Sequence, residues 1–332
     1  MKIVDPVLVP DVSIWCDHIN AQEFVATGCQ SVVVGLYSSY DASGKKTLSP
    51  VSLKQCRDTI AAGMVLQAYY WDDITQDPVT QADWVAQTIQ TEGLPIKWVW
   101  ADQEQWWIDW RAWQMWRVGK IDASAVPVAP AANISIHNEA FVAQLNSKFP
   151  QSGVYTNQGF VSSWAPGMNS WLPKYKAWVP QYGKQPKEAI QMTWATLKES
   201  WLPNYDIALA PGQLPGQVVG HQFTGDVCIL PGSYNQANQP MPLDVSVFSQ
   251  EFITSLGGAV NLPQNSPQEA PPAPINAYKV IYPRINVRSQ PSATSAWVRY
   301  AVQGEVLNIL NISNGWAQLA DGTYVFAAYI SK

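Results

Sequence analysis

Two carboxylates stand two residues apart in Trp98-Val99-Trp100-Ala101-Asp102-Gln103-Glu104. Side chains at i and i+2 of a strand share a face, so Asp102 and Glu104 point the same way, with Cα atoms ~6.6 Å apart. Neighbouring carboxylates raise each other's proton affinity, and flanking indole rings desolvate them. One can then hold a proton as general acid while the other keeps its charge. Glycoside hydrolysis needs such a pair, although the backbone spacing leaves inverting and retaining geometries both open. The spacing itself is cheap: with 16 Asp and nine Glu in 332 residues, Asp-x-Glu arises by chance roughly 0.4 times. Position and company must supply the rest. Asp11, in Val9-Pro10-Asp11-Val12-Ser13, ends the first strand-like segment, and Asp244, in Pro242-Leu243-Asp244-Val245, follows the last. If the sheet closes, its first and last strands are neighbours, and four carboxylates converge on one mouth.

Strand-like runs alternate with amphipathic stretches along the first 260 residues. Strands are expected at Ser31–Tyr37, Met64–Trp71, Ile96–Glu104, Gly153–Thr156, Ala177–Gln181 and Val218–Thr224. Helices are expected at Ser52–Gly63, at Pro78–Gly93 with proline in its first turn and glycine at its end, and at Asn138–Phe149. This alternation implies a parallel sheet, most economically a closed TIM-like β/α barrel, whose catalytic groups sit at the C-terminal ends of the strands. A doubly wound open sheet is the fallback, but no G-x-G-x-x-G follows the first strand, so nucleotide binding has no support. Val126 to Ala132 reads as an inserted loop. Residues 261–277 contain five prolines and no hydrophobic periodicity, which reads as a semi-rigid linker spanning up to roughly 50 Å. Residues 278–332 carry short β-rich runs separated by Gln-Pro, Gln-Gly, Asn-Gly and Asp-Gly, the pattern of a small all-β barrel.

Composition narrows the chemistry. Hydrophobic residues make up 47% and charged residues 14%, so a packed core is expected. Residues 1–270 hold 15 Lys/Arg against 23 Asp/Glu, which argues against a nucleic acid substrate, whereas residues 271–332 hold five against two, which suits an anionic surface such as a cell wall. The 17 Trp fit a rich core or stacking on the apolar faces of sugars. Trp106, Trp110 and Trp113 fall at i, i+4 and i+7, the spacing of a helix packing its core face, with a sugar ledge as the alternative. Cys16, Cys29, Cys56 and Cys228 form no C-x-x-C pair, and with only three His a zinc site is not expected; buried thiols are. Met1 to Pro10 lacks the pattern of a signal peptide, and no run approaches the ~20 apolar residues of a membrane span. A soluble protein without membrane association is expected.

Seven ordered pieces resemble family 25 of the glycoside hydrolases, the β/α-barrel N-acetylmuramidases common among phage endolysins. They are Asp11-Val12-Ser13, Ala68-Tyr69-Tyr70-Trp71, Gln81-Ala82-Asp83-Trp84, Trp100-Ala101-Asp102-Gln103-Glu104, Gly153-Val154-Tyr155-Thr156, Trp178-Val179-Pro180-Gln181-Tyr182-Gly183, and Gln222-Phe223-Thr224 leading to Leu243-Asp244-Val245. Two positions depart from the pattern, since the family often has His at Tyr70 and Trp at His221. The tail resembles bacterial SH3-type wall-binding domains in Ile285-Asn286-Val287-Arg288-Ser289-Gln290-Pro291-Ser292, Gly304-Glu305, Asn314-Gly315-Trp316-Ala317 and Val325–Ile330.

The resemblance implies a lysozyme that cleaves the β-1,4 bond between N-acetylmuramic acid and N-acetylglucosamine of bacterial peptidoglycan, as a monomeric, phage-type endolysin released without a signal peptide. Glu104 is then the general acid, Asp102 the group that stabilises positive charge or orients the substrate's N-acetyl group, and Asp11 and Asp244 complete the carboxylate network. Tyr69, Trp100, Tyr155, Trp178, Gln181 and Tyr182 are the expected sugar contacts. No cofactor or metal is implied. The domain expectation is a catalytic barrel over 1–260, the linker 261–277 and a wall-binding domain over 278–332. A catalytically dead glycan binder on the same barrel and a wall-peptide cysteine peptidase or amidase are the competing classes; the second needs a Cys partnered by a His.

Overall fold

A computed structural model of the chain describes residues 1–257 and 277–332, apart from residues 17, 42, 184, 202–205, 236, 237, 294, 296, 320 and 321. It divides into two units, Met1–Leu262 and Pro263–Lys332. The proline-rich segment 261–277, except for Ala277, lies outside the described residues.

Eight strands close a barrel in the first unit: β1 (Pro6–Val12), β2 (Ser31–Gly35), β3 (Val65–Trp71), β4 (Trp98–Asp102), β5 (Ser152–Tyr155), β6 (Lys176–Pro180), β7 (Val218–Tyr234) and β8 (Pro240–Ser249). Neighbours from β1 to β7 pair in parallel, while β8 runs antiparallel to both β7 and β1 and completes the ring. The closing β7–β8 hairpin needs no helical crossover, which is why strict strand–helix alternation stops there. It also moves Asp244 from its expected place after the last strand into β8. Helices α1 (Ala21–Ala26), α2 (Pro50–Ala61), α3 (Pro78–Thr91), α4 (Trp110–Arg117), α5 (Ala131–Lys148), α6 (Gln158–Trp164) and α7 (Gln250–Ser255) accompany the strands. Asp77 caps α3 by accepting from the Thr80 N–H at 2.8 Å, with Pro78 in the first turn, as the sequence pattern requires. Helix α5 starts at Ala131, seven residues before the expected Asn138, so the end of the presumed inserted loop is already helical.

Alternation along each strand separates two cores. Val32 and Val34, Leu66 and Ala68, and Val99 and Ala101 pack outward beneath the helices. The alternate residues Val7, Val9, Val33, Val65, Trp100, Trp178 and Phe248 fill the barrel interior, with Phe252 and Ile253 of α7 below them. Gly153 permits this filling, because a Cβ there would meet the Trp100 ring at 2.6 Å. Towards the C-terminal ends of the parallel strands the inward positions turn polar: Val7, Val9, Asp11 along β1; Val65, Gln67, Tyr69 along β3; Trp98, Trp100, Asp102 along β4. In antiparallel β8 the order reverses, from Asp244 through Ser246 to Phe248. One end of the barrel is therefore an aromatic plug and the other an acidic mouth.

The second unit is a seven-stranded antiparallel module of β9 (Ala277–Val280), β10 (Arg284–Arg288), β11 (Trp297–Val302), β12 (Val306–Ser313), β13 (Trp316–Leu319), β14 (Tyr324–Phe326) and β15 (Ile330–Ser331). Alternate residues Ile285 and Val287, Leu307 and Ile309, and Ala317 and Leu319 make its core. The expected Asn314-Gly315 turn joins β12 to β13, with both residues at positive φ (51° and 77°), the geometry a two-residue hairpin favours.

Candidate active site

Asp11, Asp102, Glu104 and Asp244 meet in one pocket of about 300 Å³ at the polar mouth of the barrel, edged by Trp15, Tyr37, Tyr69, Trp71, Tyr155 and Trp178. Asp11 and Asp102 are 7% and 6% exposed, so each approaches the pocket from the barrel wall rather than from a loop. Glu104 lies just past the end of β4, half-buried, and also lines a neighbouring hollow of about 290 Å³ with Trp71, Trp106 and Trp164.

Asp11 and Asp244 are register partners across the β1–β8 ladder. The Gln222 amide donates to Asp11 at 2.8 Å and more weakly to Asp244 at 3.5 Å. Its carbonyl oxygen accepts the Tyr155 hydroxyl at 2.7 Å and the Tyr182 hydroxyl, which holds the amide with its N–H groups towards the acids. A relay from the Trp178 indole N–H to Ser246 (3.0 Å) and from Ser246 to Asp11 (3.1 Å) satisfies the other Asp11 oxygen. Asp244 also accepts the Asp226 backbone N–H at 2.7 Å. By contrast, Asp102 Oδ1 is buried without a hydrogen-bond partner among the described residues. Such an acceptor is costly to leave unpaired.

Crowding acids out of water raises their proton affinity. Burial pushes Glu104 up to about 7. Burial and then the Asp226 carboxylate push Asp244 up to about 7. Asp102 is held well above the ordinary carboxylate range by burial, then by Glu104 and Asp11, and Asp11 by burial and then Asp244. The cluster therefore keeps protons at neutral pH, as a site containing a general acid must.

Of the expected sugar contacts, Tyr69, Tyr155 and Trp178 line the pocket, and Tyr182, 42% exposed, joins it through Gln222. Trp100 and Gln181 do not. Trp100 is fully buried one layer below Asp102, with its indole N–H on Gln67 at 2.9 Å and its ring against Trp98, Trp178 and Phe248. The same two-residue period that aims Asp102 inward aims Trp100 inward too, into the plug. Gln181 is absent from the pocket lining, and its backbone carbonyl meets His221 at 2.9 Å. His221, one of the two departures from the family pattern, is itself buried outside the pocket lining.

Several residues went unassigned in the sequence. Gln222 sits in a recognised motif, and an amide at an inward strand position was its only signal. Asp72, fully buried, accepts from Gln103 at 3.4 Å, bonds His137 at 2.8 Å, and adds its charge to those acting on Asp102. Nothing local joins Asp72 to His137, 65 positions apart. The cysteines bear out the expectation of buried thiols: all four are buried and unbridged, with burial pushing Cys29 and Cys56 up to about 12.

The tryptophan-rich segment meets the packing expectation only in part: Trp106 packs against the core, but not as part of a helix. Asp109 caps α4 by accepting the N–H groups of Arg111 and Ala112, so the helix begins only at Trp110 and Trp106 lies outside it. Trp106 stacks on Trp164 instead, with centroids 4.6 Å apart. Helix α4 buries none of its residues, and Trp110 is 49% exposed.

Residues 10–226 match the profile of Glycosyl hydrolases family 25, and residues 283–331 match that of the bacterial SH3 domain. Among solved structures, the bacterial lysozyme of Streptomyces coelicolor superposes with a TM-score of 0.50 at 13% identity, over 77% of this chain and 98% of that one. The muramidase of Acremonium alcalophilum superposes with a TM-score of 0.50 at 12% identity, over 76% and 99%. At these identities the likeness is one of fold. No curated protein matches the sequence.

Proposed function

Because the chain belongs to glycosyl hydrolase family 25 and is thus a glycoside hydrolase, we propose that it is a lysozyme cutting bacterial peptidoglycan at the β-1,4 bond between N-acetylmuramic acid and N-acetylglucosamine. The observation that carries this reading is the convergence of Asp11, Asp102, Glu104 and Asp244 on one aromatic-edged mouth, with Glu104 raised to about 7. Glu104 gives its proton to the departing glycosidic oxygen. Asp102, in the pocket lining beside Glu104, accepts the N–H of the substrate's acetamido group and turns the acetamido oxygen towards the anomeric carbon. Water then completes the hydrolysis, with Glu104 now taking the proton back. Asp11 and Asp244, held by Gln222, set the field around this pair.

In this reading the protein acts as a monomer, and the C-terminal unit binds the wall while residues 261–277 tether it to the catalytic unit. Release from a phage-infected cell is its route to the wall. A cysteine peptidase is disfavoured because the four thiols are buried and show no His partner among the described residues. The test is mass spectrometry of digested peptidoglycan. New reducing-end N-acetylmuramic acid supports the proposal; new peptide termini, or reducing-end N-acetylglucosamine, would overturn it. Binding without any release of fragments would leave the dead-binder class standing.

A further inference from the structure

Helix α4 and the residues after it wall a cleft of about 1020 Å³ that shares Trp15, Tyr37, Tyr69 and Trp71 with the acid pocket. One side is a tryptophan cluster, in which Trp113 lies 5.0 Å from Trp107 and 4.9 Å from Trp110 between ring centroids. Arg111, Arg117 and Lys120 line the same cleft, and all three are exposed. The Arg117 guanidinium lies 5.1 Å over the Trp113 ring. Among the described residues none of these cations has a carboxylate within 4.0 Å: the ion pairs of the unit lie elsewhere. The one acid in the lining, Asp73, is committed to Thr75, Gln76 and Gln105, and Asp109 is committed to capping α4. Three uncompensated cations thus stand beside the catalytic mouth of a region whose acids outnumber its bases 23 to 15.

Aromatic rings alone would serve the N-acetylated sugar rings, which are uncharged. The anions of peptidoglycan are the carboxylates of its peptide stems and, on a strand without peptide, the lactyl carboxylate of muramic acid held close against the sugar. Resting on the peptidoglycan reading above, we propose that the α4 cleft is a subsite for the anionic peptide stem that muramic acid carries. The stem's apolar, sugar-proximal part lies on Trp107, Trp110 and Trp113, and its free carboxylates pair with Arg111, Arg117 and Lys120. Exposed pairs of this kind contribute little each, but three act together and weaken with salt. The cleft thereby selects peptide-substituted strands over bare ones.

The experiment compares soluble glycan strands of equal length with and without peptide, cut by the full-length protein and by Arg111→Gln/Arg117→Gln/Lys120→Gln. Wild type is expected to show a kcat/KM about tenfold higher on peptide-bearing strands at low salt, falling towards unity at high salt. The triple variant is expected to lose that preference while cutting bare strands within about twofold of wild type. Single Arg111→Gln and Arg117→Gln variants, each removing part of the preference, guard against misfolding of the triple variant. Equal losses on both substrates, or no loss on either, would overturn the proposal. Inhibition by a glycerol-phosphate polymer but not by free stem peptide would overturn it too, in favour of a polyphosphate. A wild type that releases no reducing ends from either strand would overturn the peptidoglycan reading itself, and this inference with it.

Discussion

Asp11 and Asp244 face each other as direct partners across the β1–β8 ladder, and one amide, Gln222, donates to both. They come from opposite ends of the barrel sequence and meet because β8 closes the ring antiparallel. Among the described residues neither shows the buried, unpartnered oxygen of Asp102, nor the half-buried position of Glu104 past the end of its strand. The four acids therefore divide into a reacting pair and a supporting pair.

Neutralising the supporting pair should cost less than neutralising Asp102. Asp102→Asn is expected to lower kcat on soluble glycan by about 10²-fold or more, and Asp11→Asn and Asp244→Asn by roughly tenfold each. Release of reducing ends measures all three. A larger loss from Asp11→Asn than from Asp102→Asn would reverse the division.

The pH profile of kcat/KM should be bell-shaped, since an acid and an ionised partner are both required. Glu104 must be protonated, so activity should fall as pH rises through about 7. The acidic limb marks loss of the last ionised carboxylate in the cluster. Activity unchanged from acid to alkaline pH would refute a carboxylate mechanism.

Stability should follow the same protons. Folding raises Glu104 from 4.5 to about 7, so the folded state binds more protons than the unfolded chain in that interval. The stabilisation is full below about 4.5 and is lost as pH rises through about 7. Glu104→Gln removes the buried charge and should stabilise the barrel at pH 8 by on the order of 2 kcal/mol, with little effect at pH 4. Urea denaturation at the two pH values measures this; destabilisation at pH 8 would contradict it.

Removing residues 261–332 should leave cleavage of small soluble glycan nearly unchanged while lowering activity on intact walls far more. Wall binding raises the local concentration of an insoluble substrate and does nothing for a diffusing one. Equal losses on both would show that the C-terminal unit serves folding rather than targeting.

Much of the barrel and most of the acids were legible because a two-residue period in a strand is read without knowing the fold. Val9 and Asp11, or Trp100 and Asp102, share a face whatever surrounds them. Depth along the barrel axis was not legible, and so Trp100 was expected at the sugar and lies in the plug. Long-range pairing was hidden as well: Asp72 meets His137, and Gln222 meets Asp11, only through closure of the sheet. In the tryptophan-rich segment helical spacing predicted a buried face, but the cap at Asp109 starts the helix too late for Trp106 to share it. A periodic stripe of indoles tells of a common face; it does not tell whether that face meets protein or solvent.

The claim that Glu104 is the proton donor in this carboxylate cluster is tested most directly by Glu104→Gln on soluble glycan strands. An amide fills the same space but cannot donate the proton, so the account predicts a loss of roughly 10²–10⁴ in kcat, with the fold and glycan binding retained. Turnover within tenfold of wild type by the folded variant would contradict it.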